Sequence, residues 1–239
     1  MKIKTLIALS LFSFARPAIA AVFLNGTNNS VNLGNPSKLQ TLNTMTVCAW
    51  ITPSSITRSD WVAQWDSGIV KHFGLFSGVS VYSFSFYAYN GTTSNGANSA
   101  TFTLGNTYFV CGYYDGTNIG VYMNGVAGTP VALTGPLYSS SSDNVYIGYD
   151  SSPHYGNGTI DNVQIWNRAL SASEISALYQ SRSRLVISSG LVGWWKLDEY
   201  NPNTSVAAGM QFLDYSGTNF TGTWVGSNST MQPSILRYQ

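Results

Sequence analysis

Charge is what this sequence has least of: 9% of its 239 residues are Asp, Glu, Lys or Arg. It also has two histidines, His72 and His154, two glutamates, Glu174 and Glu199, and two cysteines, Cys48 and Cys111. So few scattered cations cannot form the clustered Lys and Arg that phosphate contacts need, which excludes a nucleic-acid partner. No stretch approaches the roughly 20 uninterrupted apolar residues of a membrane span. The apolar run from Leu6 to Ala15 is too short for one. Preceded by Lys2 and Lys4 and followed by the small-x-small pattern Ala18-Ile19-Ala20, it reads as an export signal over residues 1–20, the competing reading being a retained anchor. Ala21 is then the first mature residue. Loss of Lys2, Lys4 and Arg16 from the 11 basic residues leaves 8 against 10 acids, a formal charge of −2.

What is abundant is small, polar or aromatic: 23 Gly and 15 Tyr, with many Ser, Thr and Asn. This suits a β-rich extracellular domain whose solubility rests on hydroxyls and amides. The residues after the signal suffice for one large domain. In an oxidising compartment Cys48 and Cys111 form either one disulfide or two separately buried thiols. Asn-x-Ser/Thr sequons at Asn25, Asn28, Asn90, Asn157, Asn203, Asn219 and Asn228 matter only where the host glycosylates.

From Ala21 to Trp166, short alternating apolar runs are separated by Gly, Asn, Ser or Pro. Strands are expected near 22–24, 30–33, 45–51, 61–65, 73–76, 81–89, 100–103, 108–114, 119–123, 144–149 and 158–166. Such regular punctuation with aromatic and β-branched enrichment predicts an all-β antiparallel sandwich. Asp115-Gly116-Thr117-Asn118 and Asn124-Gly125 mark hairpin turns. One short helix is expected over 171–181, because Ser171 and Glu174 form a capping box and Ile175, Leu178 and Tyr179 share a face. Trp50, Trp166 and Trp194 sit inside strand patterns and are assigned to the core. Beyond Ser183 the pattern loosens, with a strand at Gly190–Leu197 and a short one at Trp224-Val225.

The segment Gly158-Thr159-Ile160-Asp161-Asn162-Val163-Gln164-Ile165-Trp166-Asn167-Arg168-Ala169-Leu170-Ser171, followed by Glu174-Ile175 and Leu178-Tyr179, resembles the late strand and helix of laminin-G-like, concanavalin A-like jelly rolls. Phe23-Leu24-Asn25-Gly26, Val31-Asn32-Leu33, Met45-Thr46-Val47-Cys48-Ala49-Trp50-Ile51 and Tyr113-Tyr114-Asp115-Gly116 extend the likeness over Val22 to Tyr179. It implies a jelly-roll β-sandwich over 21–182. Pentraxins are similar in carrying a disulfide between the strands matching those of Cys48 and Cys111, so the resemblance implies that these two pair. The motifs around Gly190–Glu199, Asp214–Gly217 and Gly222–Trp224 resemble the lead-in that usually precedes such a domain. Residues 183–239 therefore either complete this sandwich or begin a second copy. Completion is preferred, because the mature start lacks that lead-in.

Relatives of this kind include glucanases, which need two carboxylates projecting from one strand into a cleft. Glu174 is committed to the helix cap, Asp198 and Glu199 are adjacent and point to opposite faces of a strand, and no nucleophile elbow is present. The chain reads as non-catalytic. Similar jelly rolls hold a structural calcium through an Asp at the position of Asp161 with groups at positions like Asn25 and Gly26, and this is the cofactor implied. The alternative is that Asp161 only accepts hydrogen bonds from a neighbouring turn. Sugar binding needs an aromatic face with polar groups beside it. The loops offer Asp66, Tyr87, Tyr89, Asn90, Tyr149, Asp150, His154 and Tyr155. Two functions remain open: a secreted module binding a glycan or extracellular glycoprotein, or a coat or appendage subunit that associates with copies of itself.

Overall fold

The computed structural model describes residues 20–40, 42–65, 71–79, 82–138, 142–152, 154–182 and 186–234. The proposed leader, up to residue 19, and Asp66 lie outside them. In chain order the strands are β1 Ala20–Asn25, β2 Asn29–Asn32, β3 Met45–Pro53, β4 Ser59–Trp65, β5 Lys71–Ser77, β6 Ser83–Tyr89, β7 Ser94–Thr101, β8 Tyr108–Tyr114, β9 Asn118–Met123, β10 Val126–Ala127 and β11 Val131–Ala132. There follow β12 Tyr146–Ile147, β13 Asn157–Trp166, helix α1 Ala172–Ser181, β14 Leu191–Trp195, β15 Ser205–Val206, β16 Gln211–Phe212, β17 Gly222–Gly226, β18 Ser229–Thr230 and β19 Gln232–Pro233.

All named pairings are antiparallel. The first sheet runs β10-β9-β8-β3-β13-β1-β19, with β11 on β9 and β14 on β13; the second runs β16-β17-β2-β12-β4-β5-β6-β7. Strand β13 organises the first sheet. One side pairs with β3 along its length, while the other takes β1 against residues 157–160 and β14 against residues 163–166. Strands β1 and β14 thus lie end to end. Further along, β17 pairs with β2 and β19 with β1, so residues 191–233 add edge strands to both sheets. They also place Trp195, Phe212 and Trp224 in the main core.

Alternation along β3 shows how sequence period becomes layers. Val47, Ala49 and Ile51 face the main core between the sheets, where they join Val62, Leu75, Phe84 and Phe86 of the second sheet. Cys48 and Trp50 face outward, into a second cluster with Phe109, Cys111 and Trp166 that helix α1 covers through Ile175 and Leu178. Cys48 and Cys111 stand directly opposite on β3 and β8 and are joined by a disulfide. Closing a loop of 63 residues this way contributes roughly 4 kcal/mol in the chain-entropy model. The helix opens with the capping box: Ser171 Oγ accepts from the Glu174 N–H, and Glu174 Oε2 accepts from the Ser171 N–H. Trp194 is buried as expected, its indole N–H donating to Asn162 Oδ1.

Most expected strands shift by one to three residues at an end, and two differ more. The strand placed near 100–103 spans Ser94–Thr101 instead. Its residues Ser94-Asn95-Gly96-Ala97-Asn98-Ser99 carry one apolar side chain, Ala97, which enters the core, and the rest have low β-propensity. The strand forms as the sheet edge because β6 supplies its ladder. The strand expected over 144–149 shortens to Tyr146–Ile147, as the chain turns at Gly148 with φ +87°.

Candidate functional site

On β5 and β6, Phe73, Leu75, Phe84, Phe86 and Ala88 fill the core. By alternation Gly74, Phe76, Ser85 and Tyr87 fall on the opposite, outer face of the second sheet. Two glycines let rings lie down there. A Cβ on Gly74 would stand 1.9 Å from the Phe76 ring, and one on Gly96 would stand 2.6 Å from the Tyr87 ring. Trp65, at the end of β4, completes a triangle: its ring is 5.9 Å from Phe76 and 6.1 Å from Tyr87, and those two are 6.0 Å apart. Trp65 and Tyr87 are half-exposed, while Phe76 is buried beneath them.

Arg58 joins this aromatic patch to a charged one. Its guanidinium lies 4.7 Å from the Phe76 ring centroid, donates from Nε to Asp60 Oδ1 at 3.0 Å, and from Nη2 to Asp150 Oδ2 at 2.6 Å. Asp150 Oδ1 accepts from the N–H and hydroxyl of Ser152, whose Oγ lies 3.0 Å from His154 Nδ1. Tyr149 and Tyr155 stack at 4.7 Å beside this turn, and Tyr146 meets Tyr149 edge-on at 5.1 Å. Burial pushes the Asp60 carboxyl well above the usual range; the negative charge of Asp150 adds to the rise and Arg58 opposes it. A continuous chain of contacts thus runs from Tyr87 through Phe76 and Arg58 to Asp150 and His154.

Of the residues picked from sequence, Tyr149, Asp150, His154 and Tyr155 come together and Tyr87 connects to them through Phe76 and Arg58. Tyr89 and Asn90 lie apart at the β6–β7 turn. Tyr89 packs on Tyr138, and Asn90 Oδ1 accepts from Thr92 and Thr93 while its Nδ2 donates to the Thr134 carbonyl. Asn90's amide is thereby spent on its own turn. Arg58, Asp60, Trp65 and Phe76 were not singled out. Arg58 and Asp60 did carry a signal, an opposite-charge pair at spacing two in a chain with little charge, but their link to Asp150 spans 92 residues.

The set Asn25, Gly26 and Asp161 does not assemble. Asn25 pairs with Asn157, so Asp161 lies four residues further along β13, about 13 Å away at strand rise. Asn25 Oδ1 accepts from the N–H groups of Thr27 and Asn28, and the Gly26 N–H donates to the Gly156 carbonyl. A single calcium cannot be shared by both ends, and the sequence-based calcium set does not fit. Asp60, Asp150 and His154 do offer ligand atoms within 4.8 Å of one another. Arg58, bonded to both carboxylates, already supplies the positive charge there. The same bridge keeps Asp60 and Asp150 from acting as a hydrolytic pair, since both side chains are shut from solvent. Glu174 is held to about 2 by Arg168, which grips both its oxygens.

Residues 25–176 match the family model of the concanavalin A-like lectin/glucanases superfamily. Among solved structures, a protein of Bacteroides ovatus provisionally described as carbohydrate-binding superposes with TM-score 0.67 at 16% identity, over 94% of this chain and 63% of that one. The chain thus spans less than two thirds of that protein. The native heptameric SAP-like pentraxin of Limulus polyphemus gives 0.56 at 16% identity over 88% and 96%. Domain 4 of an extracellular arabinanase of Geobacillus stearothermophilus, solved with arabinotriose, gives 0.51 at 17% over 61% and 70%. At these identities the likeness establishes the fold. No curated protein matches the chain. Among the described residues, no helix is long and apolar enough to cross a membrane.

Proposed function

The chain belongs to the concanavalin A-like lectin/glucanases superfamily, and from that premise we propose that it is an exported, non-catalytic binding module whose ligand is carbohydrate. The observation that carries this reading is the outer face of the second sheet, where half-exposed Trp65 and Tyr87 lie beside the Arg58–Asp60–Asp150 bridge. A sugar ring offers an apolar face to aromatic rings and hydroxyls to polar groups at its edge. Trp65 and Tyr87 serve as the stacking surface, and Arg58, His154 and the hydroxyls of Tyr149 and Tyr155 serve the edge. Phe76 and the two buried carboxylates hold Arg58 in place, so little side-chain freedom is lost on binding. The Bacteroides ovatus protein and the arabinanase domain with its arabinotriose support the ligand class.

The burial and bridging of the two close carboxylates support the non-catalytic reading. Export fits a disulfide-bonded sandwich with the signal pattern ahead of Ala21. Residues 191–233 serve the same unit in this reading, since their strands pair with strands of both sheets. The reading is tested by a glycan array on the protein from Ala21, followed by calorimetry on each hit with Tyr87→Ala and Trp65→Ala. Each substitution should weaken binding about 30-fold, the loss of about 2 kcal/mol typical of an aromatic anchor, with the fold retained.

A second reading, self-association, has its own observation. Ile56, Val79, Tyr82 and Leu104 are between 38% and 44% exposed and come from loops at one end of the sandwich, where Gly78 abuts the Ile56 and Thr57 carbonyls and Phe102 donates to the Tyr82 carbonyl. Concentration-dependent mass without glycan, abolished by Leu104→Ser, would favour it.

A further inference from the structure

Asp161 is 5% exposed and has no basic partner among the described residues. Its carboxylate accepts from Ser234 Oγ, and the charged neighbours that act on it most, Asp198 and Glu199, are both acidic. It borders a cavity of about 30 Å³ shared with Ala21, Trp50, Thr159 and Ser234. The Trp50 indole N–H is also buried and has no acceptor among the described residues. Burial and the acidic Asp198 and Glu199 push this carboxyl well above the usual range, and a cation beside it would let it ionise. The fold indicates where one would come from. The β1–β13 pairing ends at Val22 and Ile160, one residue short of Ala21 and Asp161, and both of these line the same cavity.

We propose that export processing itself creates the counter-ion of Asp161: cleavage between Ala20 and Ala21 leaves the α-ammonium of Ala21 beside the Asp161 carboxylate. The inference rests on the export reading. In the uncleaved chain the Ala21 nitrogen is a neutral amide with one hydrogen. Hydrolysis by the export peptidase consumes one water, leaves the new carboxylate on Ala20 with the leader, and frees an amine on Ala21 that takes up a proton near neutral pH. The resulting ammonium has three donors, enough for Asp161 and for water in the cavity. Cleavage gives up the Ala20–Pro233 pairing but keeps Ala21 against Gln232. The exported protein is thereby locked at the junction of β1, β13 and β19 in a way that the precursor is not.

The test is a two-by-two comparison on full-length exported protein. N-terminal sequencing comes first and should return Ala21; another terminus would overturn both the export assignment and this proposal. Asp161→Asn is then made in protein beginning at Ala21 and in protein carrying a Gly-Ser extension ahead of Ala21. The substitution should lower the melting temperature by several degrees in the Ala21 form and by much less in the extended form. By NMR, the α-amine of Ala21 should titrate above the ordinary 7.7–8.0 and return toward it in Asp161→Asn. Equal shifts in both forms with an ordinary amine titration would overturn the ion pair while leaving export intact.

Discussion

His72 and Glu199 are both withdrawn from water, and burial moves them in opposite directions. His72 is driven to about 4, its Nδ1 bonded to Gln64 Oε1. Glu199 is raised to about 7, while Oε1 accepts from the Leu213 N–H. For His72 the folded value lies below the unfolded one, so its stability is present above about 6.5 and falls as pH drops toward 4. For Glu199 the folded value lies above the unfolded one, so stability is complete below about 4.5 and is lost as pH rises through 7. Melting temperature followed from pH 4 to 8 should show Glu199→Gln removing part of the decline above 4.5 and His72→Gln removing part of the decline below 6.5. An unchanged profile in both would contradict these assignments. Both residues stand in sequence without any mark of burial, because what buries them is the packing of neighbouring strands and loops.

At the scale of elements, helix α1 depends on one side chain. Glu174 closes the capping box and receives both arms of Arg168. Glu174→Ala should cost about 1–2 kcal/mol, the range for a lost cap with a charge-assisted bond, read by chemical denaturation. Its signature, Ser171 to Glu174 ahead of an apolar face, was fully local and so was legible. Strand β7 was not, since its Ser, Asn and Gly residues follow from pairing with β6 rather than from propensity. That same strand supports the proposed site. Gly96→Val should displace the Tyr87 ring and weaken glycan binding about as much as Tyr87→Ala does, while the sandwich still folds; unchanged affinity would remove Tyr87 from the site.

For the whole molecule, the layers follow from alternation in strands such as β3 and β8, where apolar period two and the cysteines were visible together. The candidate site was legible only in pieces. Tyr149 to Tyr155 are local in sequence, but the bridge through Arg58 to Asp60 and Asp150, and the triangle of Trp65, Phe76 and Tyr87, depend on the order of strands in the second sheet. The contribution of residues 191–233 to both sheets predicts that truncation after Arg182 exposes the free sides of β1, β2 and part of β13. The shortened chain should lose its cooperative unfolding transition and associate through those open edges; a monomer melting as sharply as the full chain would contradict this.

The most direct test is titration of the protein beginning at Ala21 with an array-selected oligosaccharide, beside Tyr87→Ala and Trp65→Ala of verified fold. The account predicts saturable binding at constant protein mass, weakened at least tenfold by each substitution. Binding indifferent to both, or an array with no hits from a well-folded and self-associating protein, would contradict the assignment of that face to carbohydrate.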